Sequence, residues 1–324
     1  MSSSAQTNPA QHRSNDKTRV QPRSKRERLT DRSFVRLTQV LALAVAALLI
    51  LIAVEVGIAA IPAIEEYGLS FIWTSAWNPV EQNYGALPMI YGTLVTSAIA
   101  LLFALPLGVG TAIFLSEGFL PVALRTPLTF MVELLAAIPS VVYGLWGIYV
   151  LIPFLRPIGS WLHNNLSWFP LFQAEYNGPG LFPASIILVV MILPIITAIS
   201  RDSLASLPTN LRQASMGLGA TRWTTIFRVL IPAAFSGIIG GAMLALGRAM
   251  GETLAVTLLI GNSNRLNISI LAPGNTIASL LANQFAEASG MQVAALMYAG
   301  LVLFFMTLFV NMAAELIIRK VKPY

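Results

Sequence analysis

In the run LGRAMGETLAV, Arg248 and Glu252 stand four residues apart inside a stretch, Ala233–Ile260, that is otherwise apolar. On a helix that spacing puts both side chains on one face. A charge at mid-membrane costs about 2.5–3.5 kcal/mol on insertion scales, so such groups face a protein interior or a water-filled path. Two chemistries fit. The planar guanidinium of Arg248 can present a fork of donors to a passing oxyanion, or the two charges can form a structural ion pair that locks this helix to a neighbour. Arginine before glutamate is the weaker order for a pair within one helix, which favours the first chemistry. No other residues have the spacing of a catalytic or metal centre. Cysteine is absent, and the two histidines, His12 and His163, fall in a tail and a loop. No catalytic residue, metal site or cofactor is therefore expected.

A second stretch, RQASMGLGATRWTTIFRVLIP from Arg212 to Pro232, has the chemistry of recognition rather than reaction. Asn210 and Gln213 have capping-box spacing and open a short helix. Gly219 supplies the left-handed residue that ends it. Thr221 caps a second helix, in which Trp223, Ile226, Phe227 and Leu230 fall at i, i+3, i+4 and i+7, one apolar stripe. Pro232 marks the return to the membrane. With Arg212, Arg222 and Arg228, this reads as a helical pair at a membrane surface, built for docking.

The elements that position these residues are membrane spans. Soluble domains carry about 25% charged residues; this chain of 324 residues carries 10%, and 56% of it is hydrophobic. The first 36 residues are polar and basic without apolar periodicity, and are expected to be a disordered tail. Val40–Ile61 is long enough, at about 33 Å of helix, to cross a bilayer. Further spans are expected at Pro88–Leu115, Leu128–Phe154, Leu181–Ile199, Ala233–Ile260 and Val293–Ile318. Ser116–Pro127 reads as a short turn and Arg156–Phe182 as an external loop, while Trp73, Trp77 and Tyr84 suit the headgroup region. Pro139 interrupts the third span, and Gly144 and Gly147 allow close helix approach. Gly237 with Gly241, and Gly247 with Gly251, form two small-xxx-small pairs in the fifth.

Seventeen lysines and arginines fall on one side of this topology, against Arg156 and Arg265 on the other. That bias places both termini and the 212–232 stretch in the cytoplasm. The basic tail is thus an orientation signal and not a nucleic-acid site. No stretch fits G-x-x-x-x-G-K-[ST], and none of the four lysines follows a glycine, so the chain is not a P-loop ATPase.

The 212–232 stretch resembles the signature loop of ABC-importer permeases, EAA, three residues, G, nine residues, I-x-L-P. Gln213-Ala214-Ser215 stands for EAA, Gly219 for the glycine, and Val229, Ile231 and Pro232 for the close. The departures, Gln213 for Glu, Ser215 for Ala, Val229 for Ile and Ile231 for Leu, are mild. The runs AAIPSVVYGLWGIYVLIP, MILPIITAISRDSLASLP, ALGRAMGETLAVTLLIGN and LPMIYGTLVTSAIALLFALPLGVGTAIFLSE extend the likeness to phosphate-importer permeases of the PstC type, over about residues 70–318.

That resemblance implies an all-α membrane protein of six transmembrane helices, with the type I (MetI-like) importer fold and a cytoplasmic coupling helix. It implies a heterodimer with a second permease subunit, two ATPase subunits, an external phosphate-binding protein and a place in a bacterial inner membrane. Arg248 and Glu252 map onto residues implicated in phosphate passage. Gln213, Ala214, Ser215, Gly219 and Pro232 map onto the ATPase-coupling loop. Residues 1–36 are then the tail, 37–88 the first span and its external loop, and 89–320 the core permease domain with its signature loop at 201–233.

Two rivals remain. A permease for sulfate or molybdate would share the fold, but fully ionised sulfate has no proton to donate to a carboxylate such as Glu252. An ion-coupled secondary transporter usually shows two repeats with matched broken spans, a pattern missing from this sequence.

Overall fold

The structure, a computed structural model, describes residues 25–321; the tail before them and Lys322 lie outside the described residues. Two compact units divide the chain, one ending at Val54 and the other beginning at Glu55. Helix α1 (Lys25–Tyr67) supplies the described part of the first and the opening of the second. It starts within the stretch expected to be tail, because KRERLTDRSF is rich in straight-chain residues of high helix propensity.

In the second unit a short α2 (Ser70–Trp73) leads to a hairpin of two-residue strands, β1 (Trp77–Asn78) and β2 (Asn83–Tyr84). Trp77 pairs opposite Tyr84. Of the three aromatics expected at a headgroup layer only Trp73 is largely exposed; Tyr84 is buried, and the Trp77 indole N–H donates to Gln284 at 2.8 Å. The stacked ring of Phe71 on Tyr298, 4.4 Å apart, draws this segment inward instead.

Helices α3 (Leu87–Ser116), α4 (Val122–Ala137), α5 (Ser140–Trp146) and α6 (Ile152–Leu166) follow. The expected third span, Leu128–Phe154, is thus divided. Pro139 has no N–H to continue the ladder and forces Ile138 into an extended conformation, ψ 127°. Residues 128–137 belong to α4, and the span runs from Ser140 to Leu166, taking in the start of the expected external loop. Gly144 and Gly147 do allow close approach: an added Cβ would meet Leu258 at 2.5 Å and Leu259 at 2.6 Å.

The chain continues through α7 (Leu181–Ala205), α8 (Thr209–Gly217), α9 (Arg222–Thr225), α10 (Ile231–Gly251), α11 (Leu254–Leu259), α12 (Ile277–Gln284) and α13 (Met291–Val321). Six helical segments among the described residues are long and apolar enough to cross a membrane. The core lies where α7 packs on α3 and α10, around Ile187, Leu188, Ile192 and Ile196, with Ala100 and Ala104 from α3 and Ala245 and Ala249 from α10. Small residues opposite branched ones let the helices pack closely without a hydrophobic driving force from water.

Two π turns, Gly147–Leu151 and Ile226–Leu230, join α5 to α6 and α9 to α10. Each runs into the next helix through the same four letters, Val150-Leu151-Ile152-Pro153 and Val229-Leu230-Ile231-Pro232. The proline cannot donate and its ring crowds the carbonyl four residues back; the wider turn just before it relieves both. The helix therefore runs through Pro232 unbroken, from Arg222 to Gly251.

Candidate functional site

The fifth span is not continuous to Ile260. Helix α10 ends at Gly251, and Glu252 is extended, φ −67° and ψ 127°, before α11 begins. This break removes the i, i+4 relation between Arg248 and Glu252, and no ion pair joins them among the described residues. Each charge has a helix end instead. Arg248 lies in the last turn of α10, where the backbone carbonyls carry partial negative charge. Glu252 is 9% exposed and approaches the first N–H groups of α11, with Ala255 N–H at 3.5 Å, where partial positive charge collects.

Arg248 is exposed along an open groove of ≈ 820 Å³ formed by Gly240, Leu244 and Gly247 of α10, Ile195 of α7 and Asn311 of α13. A Cβ added at Gly240, Gly247 or Gly251 would meet nothing within 4 Å. By contrast, Gly237 and Gly241 face Ser203 and Ile199 of α7, which an added Cβ would meet at 2.0 and 3.1 Å. The Tyr143 hydroxyl, on α5, donates to the Leu135 carbonyl at 2.7 Å.

A relay of polar groups follows the break. The Thr257 hydroxyl lies 3.0 Å from that of Ser279, which donates to Asn262 at 2.9 Å; the Asn262 amide returns to the Thr257 carbonyl at 2.9 Å. Asn262 holds φ +52° to do so. None of these was singled out by sequence. The signal available was an asparagine after a glycine, at Gly261-Asn262, a pair that tolerates left-handed backbone.

In the signature loop, Gly219 adopts φ +86°. Its N–H donates to Met216 at 3.0 Å, and the Ala220 N–H donates to Ser215 at 3.2 Å, the two bonds of a Schellman end. Thr221 caps α9, accepting from the Thr224 N–H at 3.2 Å. The other end differs from expectation. Pro208 occupies the N-cap without a side-chain bond, so Asn210 is already inside α8 and cannot form the capping box with Gln213. The apolar stripe is divided as well. The π turn inserts a residue, so Ile226 and Leu230 point inward at 3% and 0% exposure while Trp223 and Phe227 stay out at 57% and 59%.

Arg212, expected on the docking face, turns inward. Its Nε and Nη2 donate to the two Glu117 oxygens at 3.0 and 2.7 Å, and it also reaches the Leu204 and Leu207 carbonyls. The bond to Glu117 pushes its pKa further up, outweighing the desolvation that opposes it. This pair ties the loop to the end of α3. Arg201 similarly binds Glu133 of α4 at 3.2 Å. What the loop presents to its surroundings is Gln213, Ala214 and Gly219, all exposed, with Leu218 at its corner 90% exposed. Ser215 is half-buried, its hydroxyl 2.9 Å from that of Thr225.

The sequence profile of a family described as "Binding-protein-dependent transport system inner membrane component" matches residues 104–323. The "Phosphate transport system permease protein PstC" of Mesorhizobium japonicum is 43% identical over 299 residues, covering 90% of this chain and 91% of that protein. The protein of the same name from Haemophilus influenzae is 41% identical, covering 89% and 93%. Among solved structures, a bacterial ABC transporter involved in import of the polysaccharide alginate superposes with TM-score 0.55 at 17% identity, over 93% of this chain and 100% of that one. The inward-facing MetNI methionine ABC transporter gives 0.52 at 20%, over 74% and 95%. These two likenesses carry the fold alone.

Proposed function

Since the chain belongs to the family of binding-protein-dependent inner-membrane transport components, and within it to the PstC permeases, we propose that it forms half of the membrane path of an ATP-driven phosphate importer. It is a multi-pass transport subunit and not an enzyme. A second, different permease closes the open groove beside Arg248. One of the importer's two ATPase subunits seats against Gln213, Ala214 and Gly219 of this chain, with Leu218 as the apolar knob, the other serves the second permease, and an external binding protein delivers phosphate. Both termini and the signature loop face the ATPases, on the cytoplasmic side.

The observation that carries this reading is Arg248, an exposed guanidinium on a membrane-depth groove with no carboxylate within 4 Å among the described residues. A guanidinium at membrane depth without a carboxylate partner is poised to take a transient counter-ion, and its planar fork suits an oxyanion. In this reading Glu252, buried at the head of α11, accepts a hydrogen bond from the hydroxyl of a singly protonated phosphate.

The test is uptake by the complete importer in proteoliposomes, with phosphate, sulfate and molybdate offered in turn. Phosphate uptake that stops on ATP depletion and persists when the proton gradient is collapsed is expected. Preferential sulfate or molybdate uptake would reassign the substrate, and dependence on the proton gradient would reject the ATP-driven class.

A further inference from the structure

Where the end of α3 meets α9 and its π turn, a groove of ≈ 580 Å³ runs along the outside of two membrane spans. Every residue lining it is apolar, from Pro106, Gly110 and Ile113 of α3 to Trp223 and Phe227. The aromatic rings form a continuous wall. Phe114 stacks on Phe119 at 6.2 Å, Phe119 meets Trp223 at 5.5 Å, and Trp223 stacks on Phe227 at 6.0 Å. Phe114, Trp223 and Phe227 remain 46–59% exposed, so the wall is unfilled on one side. A Cβ added at Gly110 would meet nothing within 4 Å, which shows the space to be open down to the helix backbone.

One end of this wall carries a cation. The Arg222 guanidinium sits over the Phe119 ring, 5.7 Å from its centroid. Neighbouring Arg212 already takes both oxygens of Glu117, and Arg222 has no carboxylate within 4 Å among the described residues. The apolar trough begins at membrane depth, at Pro106, and ends where the span ends, beside an unneutralised charge. Pro106 to Phe114 alone covers about 12 Å of helix. An apolar trough ending in a cation complements a molecule with a hydrocarbon tail and an anionic head.

We propose that this groove binds an anionic phospholipid of the surrounding bilayer, with an acyl chain along Phe114, Phe119, Trp223 and Phe227 and the headgroup phosphate on Arg222. Basic pockets at the ends of membrane helices hold lipid headgroups in this way. The lipid would bridge α3 to the segment that leads directly out of the signature loop, so the grip of the loop on the membrane domain would depend on lipid charge. The site is independent of which anion the importer carries.

The test is native mass spectrometry of the assembled importer released from bilayers of phosphatidylglycerol and phosphatidylethanolamine in equal amounts. The wild type should retain one phosphatidylglycerol per copy of this subunit. Arg222→Gln should lower the preference for phosphatidylglycerol over phosphatidylethanolamine about fivefold, the loss of one surface-charge attraction. Gly110→Phe, whose Cβ enters open space and whose ring would occupy the trough, should remove retention of both lipids. Because the chain has no cysteine, Gly110→Cys gives this subunit a single thiol, and crosslinks formed on this subunit report the occupant directly. Crosslinking of that thiol to a lipid-borne reagent supports the proposal; crosslinking to another polypeptide overturns it, as does equal lipid retention by all variants. If Gly110→Phe fails to assemble, the Arg222→Gln ratio and the crosslink decide.

Discussion

Helix α10 contains two glycine pairs of the same spacing that meet opposite surroundings. The Gly237 and Gly241 pair is pressed against α7, so closely that a methyl group at Gly237 would overlap the Ser203 side chain at 2.0 and 2.6 Å. Gly247 and Gly251, one helical stretch further on, face open space beside Arg248. Small residues in a membrane helix are there to let something approach. For the first pair that something is this chain's own α7. For the second nothing among the described residues comes near, and the open groove around Arg248 is the same fact seen from the charged side.

The contrast breaks most violently at the first pair. Gly237→Leu should prevent α7 and α10 from closing, an overpacking cost of about 1–3 kcal/mol or more. The subunit should vanish from membranes, as measured by its abundance in isolated membrane fractions; normal abundance would show that Ser203 and its neighbours yield more than their positions suggest.

Arg248→Gln should be the next largest effect, with a different signature: complex yield unchanged and phosphate uptake at background. Glutamine keeps hydrogen-bonding groups but not the charge or the fork. Because Arg248 and Glu252 are held by separate helix ends, the double variant Arg248→Gln with Glu252→Gln should not regain uptake. Recovery in the double variant would restore the ion-pair reading that the helix break argues against.

The mildest effect sharpens the comparison. At Gly247 an added Cβ meets nothing within 4 Å among the described residues, so with Gly247→Leu the isolated subunit should melt at the wild-type temperature in detergent. Association with the second permease, followed by size-exclusion chromatography of the complex, should weaken and uptake should fall several-fold. A destabilised isolated subunit would mean that the open face belongs to this chain after all.

Much of the architecture was legible before any coordinates. Leu87–Ser116 and Leu181–Ala205 begin within a residue of the expected spans, because long apolar runs flanked by proline or glycine leave few alternatives in a bilayer. Gly219 and Thr221 were legible for the same local reason: chain geometry demands those types at a helix end and a helix start. What escaped depends on partners distant in sequence. Arg212 could not be assigned inward, since Glu117 lies 95 residues earlier. Glu252 looked helical because Gly251 and the β-branched Thr253 and Val256 weaken a helix only mildly, whereas α11 packs against α5 beyond the break. The outward turn of Trp223 and Phe227 was hidden because a π turn leaves no mark on hydropathy; only the proline after it hints at one.

That turn gives the chain an unusual tolerance. A residue deleted from an ordinary stretch of helix rotates everything beyond it by about 100°, which in α10 would swing Arg248 off its groove. A π turn is an α-helix holding one residue too many. Shortening Ile226–Leu230 by a single residue would let it relax to α geometry while the faces on either side keep their bearings. The same holds for Gly147–Leu151. Within their spans these two short segments are places where chain length can change by one without changing what faces what, so insertions and deletions among related permeases should gather there.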